Sequence, residues 1–154
     1  MLNDIKWLFF DVGSTLVDET ECYNHRIRDA IAGTDITFEE FNEKRLYFSK
    51  QNLKGDIEAL RYFGLAKTPW HHEDEKLYKD SENVLKILCE KGYLIGVIAN
   101  QSAFTEKRLE SCGLMKYIQL VVASAEEGVA KPDKRIFDIA LKRAGCSPSE
   151  AVMI

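Results

Sequence analysis

The sequence predicts an α/β fold: a three-layer parallel sheet covered by helices on both faces, with a small helical insertion after its first strand. Three observations predict it. Near-continuous apolar runs alternate with helical patterns, each run is followed abruptly by polar residues, and one long stretch lacks any strand signal. Residues 5–10 form an apolar, aromatic run ending at Asp11-Val12-Gly13-Ser14. A continuous run, rather than an alternating one, marks a strand buried on both faces. Residues 94–99 and 118–123 repeat the pattern, and residues 151–154 begin a fourth run where the sequence ends.

Helical stripes fill the gaps. Val84, Leu85, Leu88 and Cys89 share one face after a cap at Asp80 or Ser81, and Gly92 closes that helix. Residues 105–112 read as a short helix ended by Gly113. Ile136, Phe137, Ala140, Leu141 and Ala144 form another stripe, opened by Pro132 and closed by Gly145. Strand followed by helix, repeated, implies right-handed crossovers and a parallel sheet. Residues 17–78 carry no strand signal and three helical patterns: 19–32, one opened by a Thr37-x-x-Glu40 capping box with Phe38, Phe41 and Phe48 on its stripe, and 56–63. That is more helix than one crossover needs. The expected organisation is a discontinuous core of 1–16 and 79–154 with a helical cap of 17–78.

Composition narrows the function. The 154 residues are 45% hydrophobic and 30% charged, with net charge -4, which excludes a disordered chain. No basic tract exists to neutralise a phosphate backbone, so no nucleic-acid partner is expected. No apolar run spans a bilayer and the N-terminus lacks a signal-peptide pattern, so no membrane partner and a cytoplasmic location are expected. The four cysteines have no Cys-x-x-Cys spacing and read as reduced, mostly buried thiols. Oligomeric state has no signature in the sequence.

In an open parallel sheet, ligands bind beyond the carboxyl ends of the strands. Asp11, the Asn100-Gln101-Ser102 loop, and the loop from Ser124 to Lys131 all follow strands. A carboxylate at Asp11 can serve as nucleophile or metal ligand. The small residues after it, Ser14 and Thr15 among them, would let backbone N–H groups approach an anion. Lys131 would neutralise a phosphate or steady Asp11, and Asn100 would bond a substrate oxygen or satisfy its own loop. The segment His71-His72-Glu73-Asp74-Glu75 reads as a polar turn after Pro69. Adjacent histidines share no face, and the segment contains no i, i+4 partner to complete a metal site.

In order, WLFFDVGSTLVDE, GYLIGVIANQS and EEGVAKPDKRIFDIAL resemble the three signatures of the haloacid dehalogenase superfamily, and the resemblance spans essentially the whole chain. It implies a Rossmann-like core with a helical cap, and a hydrolase of phosphatase type acting on a small phosphorylated metabolite. Asp11 would form an aspartyl-phosphate and Lys131 would stabilise charge. Asn100, Gln101, Ser102, Ser14 and Thr15 would bind phosphate, and the Asp11 carboxylate with the Gly13 carbonyl would hold Mg²⁺. Three departures stand out. Gly13 replaces the family's second Asp, a general acid–base worth about 10²–10⁴-fold. Ala99 replaces the usual Ser or Thr. The sequence also ends at Ile154, before the Gly-Asp and further acid that complete the Mg²⁺ site, so a fragment of a longer protein with weak or no Mg²⁺ binding is expected. Two alternatives stay open: a hydrolase whose leaving group needs no acid, acyl phosphate or haloacid, and a catalytically degenerate ligand-binding domain.

Overall fold

The computed structural model describes residues 4–51 and 53–154; residues 1–3 and 52, which fall within the expected 1–16 and 17–78 segments, lie outside the described residues. In chain order the elements are β1 (Trp7–Phe10), β2 (Val17–Asp18), α1 (Thr20–Ile31), α2 (Phe38–Ser49) and α3 (Gly55–Tyr62). A 3-10 turn at His72–Asp74 leads to β3 (Lys76–Leu77), α4 (Ser81–Glu90), β4 (Leu94–Ala99) and α5 (Thr105–Ser111). Then come β5 (Ile118–Ala123), α6 (Ser124–Glu127), α7 (Lys134–Ala144) and, after a second 3-10 turn, β6 (Ala151–Met153). The chain forms two compact units: residues up to Asp18 together with Lys76–Ile154, and Glu19–Glu75.

The first unit is built on a parallel four-stranded sheet of order β5-β4-β1-β6. All four residues of β1 are buried, which is why the run shows no alternation. Leu8 and Phe10 pack on one face with Leu85, Ile95, Val97 and Leu109. Trp7 and Phe9 pack on the other with Ile98, Val122, Ile136 and Ala140. Close packing also explains Gly96, paired in register with Phe9, since a methyl carbon there would stand 2.4 Å from the edge of the Phe9 ring. From β1 the chain steps outward through β4 to β5 and then returns to the far side of β1 as β6. Strand order therefore reverses beside β1, and the crevice that such a reversal opens lies at its carboxyl end.

Several details differ from expectation. The first strand starts at Trp7, with Ile5 and Lys6 outside it. The stretch expected to be strand-free has a strand at each end: β2 and β3 pair antiparallel, and Ser81 Oγ donates to the Leu16 carbonyl at 2.7 Å to hold the returning chain. Two-residue strands are too short to show a period, and they pack with the first unit. The helix expected to open at Pro132 is instead capped by Asp133, whose carboxylate accepts the Arg135 N–H at 2.9 Å. Only Cys22 is a buried thiol, whereas Cys112 is exposed and Cys89 and Cys146 are half-buried; none is disulfide-bonded. Burial first, then the nearby charges of Glu75, Glu19 and Asp74, push the Cys22 thiol up to about 12.

In the second unit Ile27, Phe41, Ala59 and Leu60 form the core. Helix α2 starts where its capping box places it. Thr37 Oγ1 accepts the Glu40 N–H at 3.2 Å, and Glu40 Oε2 accepts the Thr37 N–H at 2.8 Å.

Candidate active site

Asp11 follows β1 directly, its N–H donating to the Ile154 carbonyl at 3.1 Å, so its backbone is tied to the end of β6. Its Oδ1 accepts the Val12 N–H at 2.8 Å, and Lys131 Nζ lies 2.8 Å from its Oδ2. The Lys131 side chain is 17% exposed and that of Asp11 37%, so the ammonium is largely withdrawn from water while the carboxylate stays accessible. That combination suits a carboxylate meant to react: partly desolvated, oriented, and compensated by one cation.

The turn after Asp11 differs from expectation in one respect. The Val12 carbonyl accepts the N–H groups of Thr15, Leu16 and Val17 at 3.3, 2.9 and 2.9 Å, and the Val17 carbonyl accepts that of Ser14 at 2.8 Å. These four donors close the turn on itself and are not turned toward an anion. Ser14, at φ 58°, takes the left-handed conformation that so tight a turn requires. Gly13 bridges to Val17 in the same turn.

Asn100, after β4, reaches the Lys131 backbone at both ends of its amide. Its Nδ2 donates to the Lys131 carbonyl at 2.9 Å, and its Oδ1 accepts the Lys131 N–H at 2.7 Å. The residue expected to bond a substrate oxygen thus holds the loop that carries the lysine. Gln101 and Ser102 turn to another cation: Arg108, on α5, donates to Gln101 Oε1 at 2.7 Å and to Ser102 Oγ at 3.0 Å. Nothing in the sequence distinguishes Arg108 from the solvated Lys107 beside it. Ser124 Oγ donates to the Gln101 carbonyl at 3.2 Å, joining the loops after β4 and β5.

A family model described as a haloacid dehalogenase-like hydrolase matches residues 5–154. The chain belongs to the haloacid dehalogenase-like hydrolases. It is 28% identical over 173 residues to the glyceraldehyde 3-phosphate phosphatase of Methanothermobacter thermautotrophicus, a match covering 97% of this chain and 76% of that protein. It is 56% identical over 162 residues to the pyrimidine 5'-nucleotidase YjjG of Escherichia coli, covering 90% of this chain and 71% of that one. Among solved structures, a superfamily hydrolase of subfamily IA from Geobacter sulfurreducens superposes with a TM-score of 0.68 at 20% identity, over 97% of this chain and 77% of that one. Membership makes the chain a hydrolase, and the phosphatases among its relatives support activity of phosphatase type. Among the described residues, no helix is long and apolar enough to cross a membrane.

Proposed function

We propose that this chain is a phosphatase that hydrolyses a small phosphorylated metabolite through an aspartyl-phosphate on Asp11. The observation that carries the reading is the 2.8 Å ion pair of Lys131 with Asp11 beyond the central strand. With Oδ1 bonded to the Val12 N–H and Oδ2 to the ammonium, the carboxylate plane is fixed, yet each oxygen keeps a lone pair for attack. In the proposed reaction an Asp11 oxygen attacks phosphorus, the bond to the leaving oxygen breaks, and water then cleaves the acyl phosphate. Lys131 neutralises charge on the transferring group, a role that suits a loose transition state governed by electrostatics. Asn100 acts through Lys131, by fixing its backbone. The Ser14 and Thr15 hydroxyls would add hydrogen bonds to the bound phosphate. Residues 19–75 are read as the family's helical cap, and a cytoplasmic location goes with this reading.

Oxygen donors suit Mg²⁺, which binds one or two carboxylates and completes its octahedron with water and substrate phosphate. The Asp11 carboxylate and the Gly13 carbonyl are donors of that kind. Bound there, Mg²⁺ would supply positive charge to the phosphoryl oxygens. One carboxylate shared with Lys131 is a minimal set, so the expected binding is weak in this chain.

Gly13 favours one refinement. Lacking a proton-transferring side chain at that position, the site should cleave acyl phosphates, whose leaving group needs no acid, faster than alkyl monoesters. The relatives make pyrimidine nucleoside monophosphates and glyceraldehyde 3-phosphate the first monoesters to compare. With Mg²⁺ raised until its weak site is saturated, beryllofluoride should raise the melting temperature, and Asp11→Asn should abolish the rise. Absence of a shift in the parent chain would overturn the proposal. Monoesters cleaved as fast as acyl phosphates would overturn the refinement alone.

A further inference from the structure

The histidine-rich segment acquires in the fold the partner it lacks in sequence. Helix α1 carries His25 and Asp29 one turn apart, and residues 68–74 lie along that helix. Thr68, Arg26 and Trp70 hold the segment there. Thr68 Oγ1 donates to the Arg26 carbonyl at 3.2 Å, Arg26 returns two bonds to the Thr68 carbonyl at 3.3 and 3.2 Å, and Trp70 packs edge-on against Tyr23 at 4.8 Å. His71 is thereby stacked on His25, with ring centroids 3.5 Å apart. One ligand atom each from His25, Asp29 and His71 lies within 4.8 Å of the others.

The surroundings match what a metal-binding histidine needs. Nδ1 of His25 is 2.7 Å from Asp74 Oδ2, and Nδ1 of His71 is 3.0 Å from Glu73 Oε1. An ionised carboxylate only accepts, so both Nδ1 atoms carry the proton, the arrangement that leaves Nε2 as the ligand atom. Both Nε2 atoms face Asp29, at 2.7 Å from His71 and 3.7 Å from His25. His72 is turned elsewhere, its Nδ1 2.6 Å from Glu75 Oε1.

We propose that His25, His71 and Asp29 form a site for a divalent transition metal of the Zn²⁺ class, with Asp74 and Glu73 as the carboxylates that orient the two imidazoles. Two nitrogens and a carboxylate oxygen suit Zn²⁺ and not Mg²⁺, and three protein ligands leave one position for water. The ion takes the position of the proton shared by His71 Nε2 and Asp29. An imidazole lone pair lies in its ring plane, so one ion cannot serve two parallel rings. His25, at 36% exposed against 17% for His71, is the ring that tilts.

The chain has three histidines, which makes the test direct. Zn²⁺ titrated into the ¹⁵N-labelled full chain, with Mg²⁺ in excess, should shift the imidazole resonances of His25 and His71 at one equivalent and leave those of His72 in place. At about 100-fold excess over Kd, Zn²⁺ should raise the melting temperature by about 5–10 °C. Asp11→Asn should keep that rise, while His71→Gln and, separately, Asp29→Asn should lose it. Glu73→Gln should weaken Zn²⁺ binding about 10–100-fold. Unmoved His25 and His71 resonances, or a rise that survives in a folded His71→Gln or Asp29→Asn variant, would overturn the site. Neither result depends on whether Asp11 is a nucleophile.

Discussion

Replacing Lys131 by Met removes one charge while keeping an unbranched apolar stem, one atom shorter. In the structure that charge sits 2.8 Å from Asp11 Oδ2, with the lysine 17% exposed. The gross attraction of two unit charges 4 Å apart at an effective dielectric constant of about 20 is about 4 kcal/mol. Desolvation of the ammonium offsets much of it, and the net value of a hydrogen bond to a charged group is about 1.5–3 kcal/mol. Because the Asp11 carboxylate still meets water, the lower end applies, and Lys131→Met should destabilise the chain by about 1.5 kcal/mol. Catalysis should suffer more. Removing one electrostatic donor from a transition state costs about 10²–10³ in kcat, and the same loss should appear in single-turnover phosphoryl transfer from an acyl phosphate. Denaturant unfolding and rapid-quench kinetics on the same samples separate the two effects. A kcat within threefold of the parent, with the expected stability loss, would mean that Lys131 only holds Asp11 in place and would refute its electrostatic role.

Four further outcomes follow from particular contacts. Asn100→Ala removes both bonds to the Lys131 backbone and should lower kcat about tenfold with KM little changed, while Asn100→Asp, which keeps the acceptor bond, should recover part of it; steady-state kinetics decides. Gly96→Ala drives a methyl group into the buried Phe9 ring and should cost about 1–3 kcal/mol in urea unfolding. Thr37→Ala breaks the α2 capping box and should cost about 1 kcal/mol, read in the same way. Lys6 and the Ser147 backbone hold the Glu150 carboxyl down to about 2. The unfolded chain therefore binds the proton more readily, so this contribution to stability is complete above about pH 4.5 and disappears as pH falls toward 2. Melting curves of Glu150→Gln should sit below the parent at pH 7 and converge with it near pH 2.

The parts of the fold that could be read in the sequence are those whose signals are local. WLFF is buried on both faces, and its unbroken run of apolar residues says so. Asp11 and Lys131 stand out in the sequence because each lies on the segment that leaves a strand, Asp11 directly after β1 and Lys131 beyond α6, and strand ends converge in a parallel sheet. The bond network around them was hidden. Asn100 and Lys131 are 31 positions apart, and no local pattern reveals that an amide will span both ends of one residue's backbone. The turn donors of Ser14 to Val17 looked available because the left-handed Ser14 that folds them inward leaves no periodicity. The His25–His71 pair depends on contacts across more than 40 positions, made by Arg26, Thr68 and Trp70 through bonds that have no repeat in the sequence. Strands β2 and β3 hold two residues each, below the length at which alternation exists.

The role of Asp11 is tested most directly by trapping the intermediate. The full chain, mixed with a labelled phosphoryl donor and Mg²⁺, is quenched in acid within the first turnover and reduced with borohydride, which converts an aspartyl-phosphate to homoserine. Peptide mapping should find homoserine at position 11 in an amount that tracks the burst of released leaving group. Hydrolysis with no modified Asp11 at any quench time, or the modification at another carboxylate, would contradict the account.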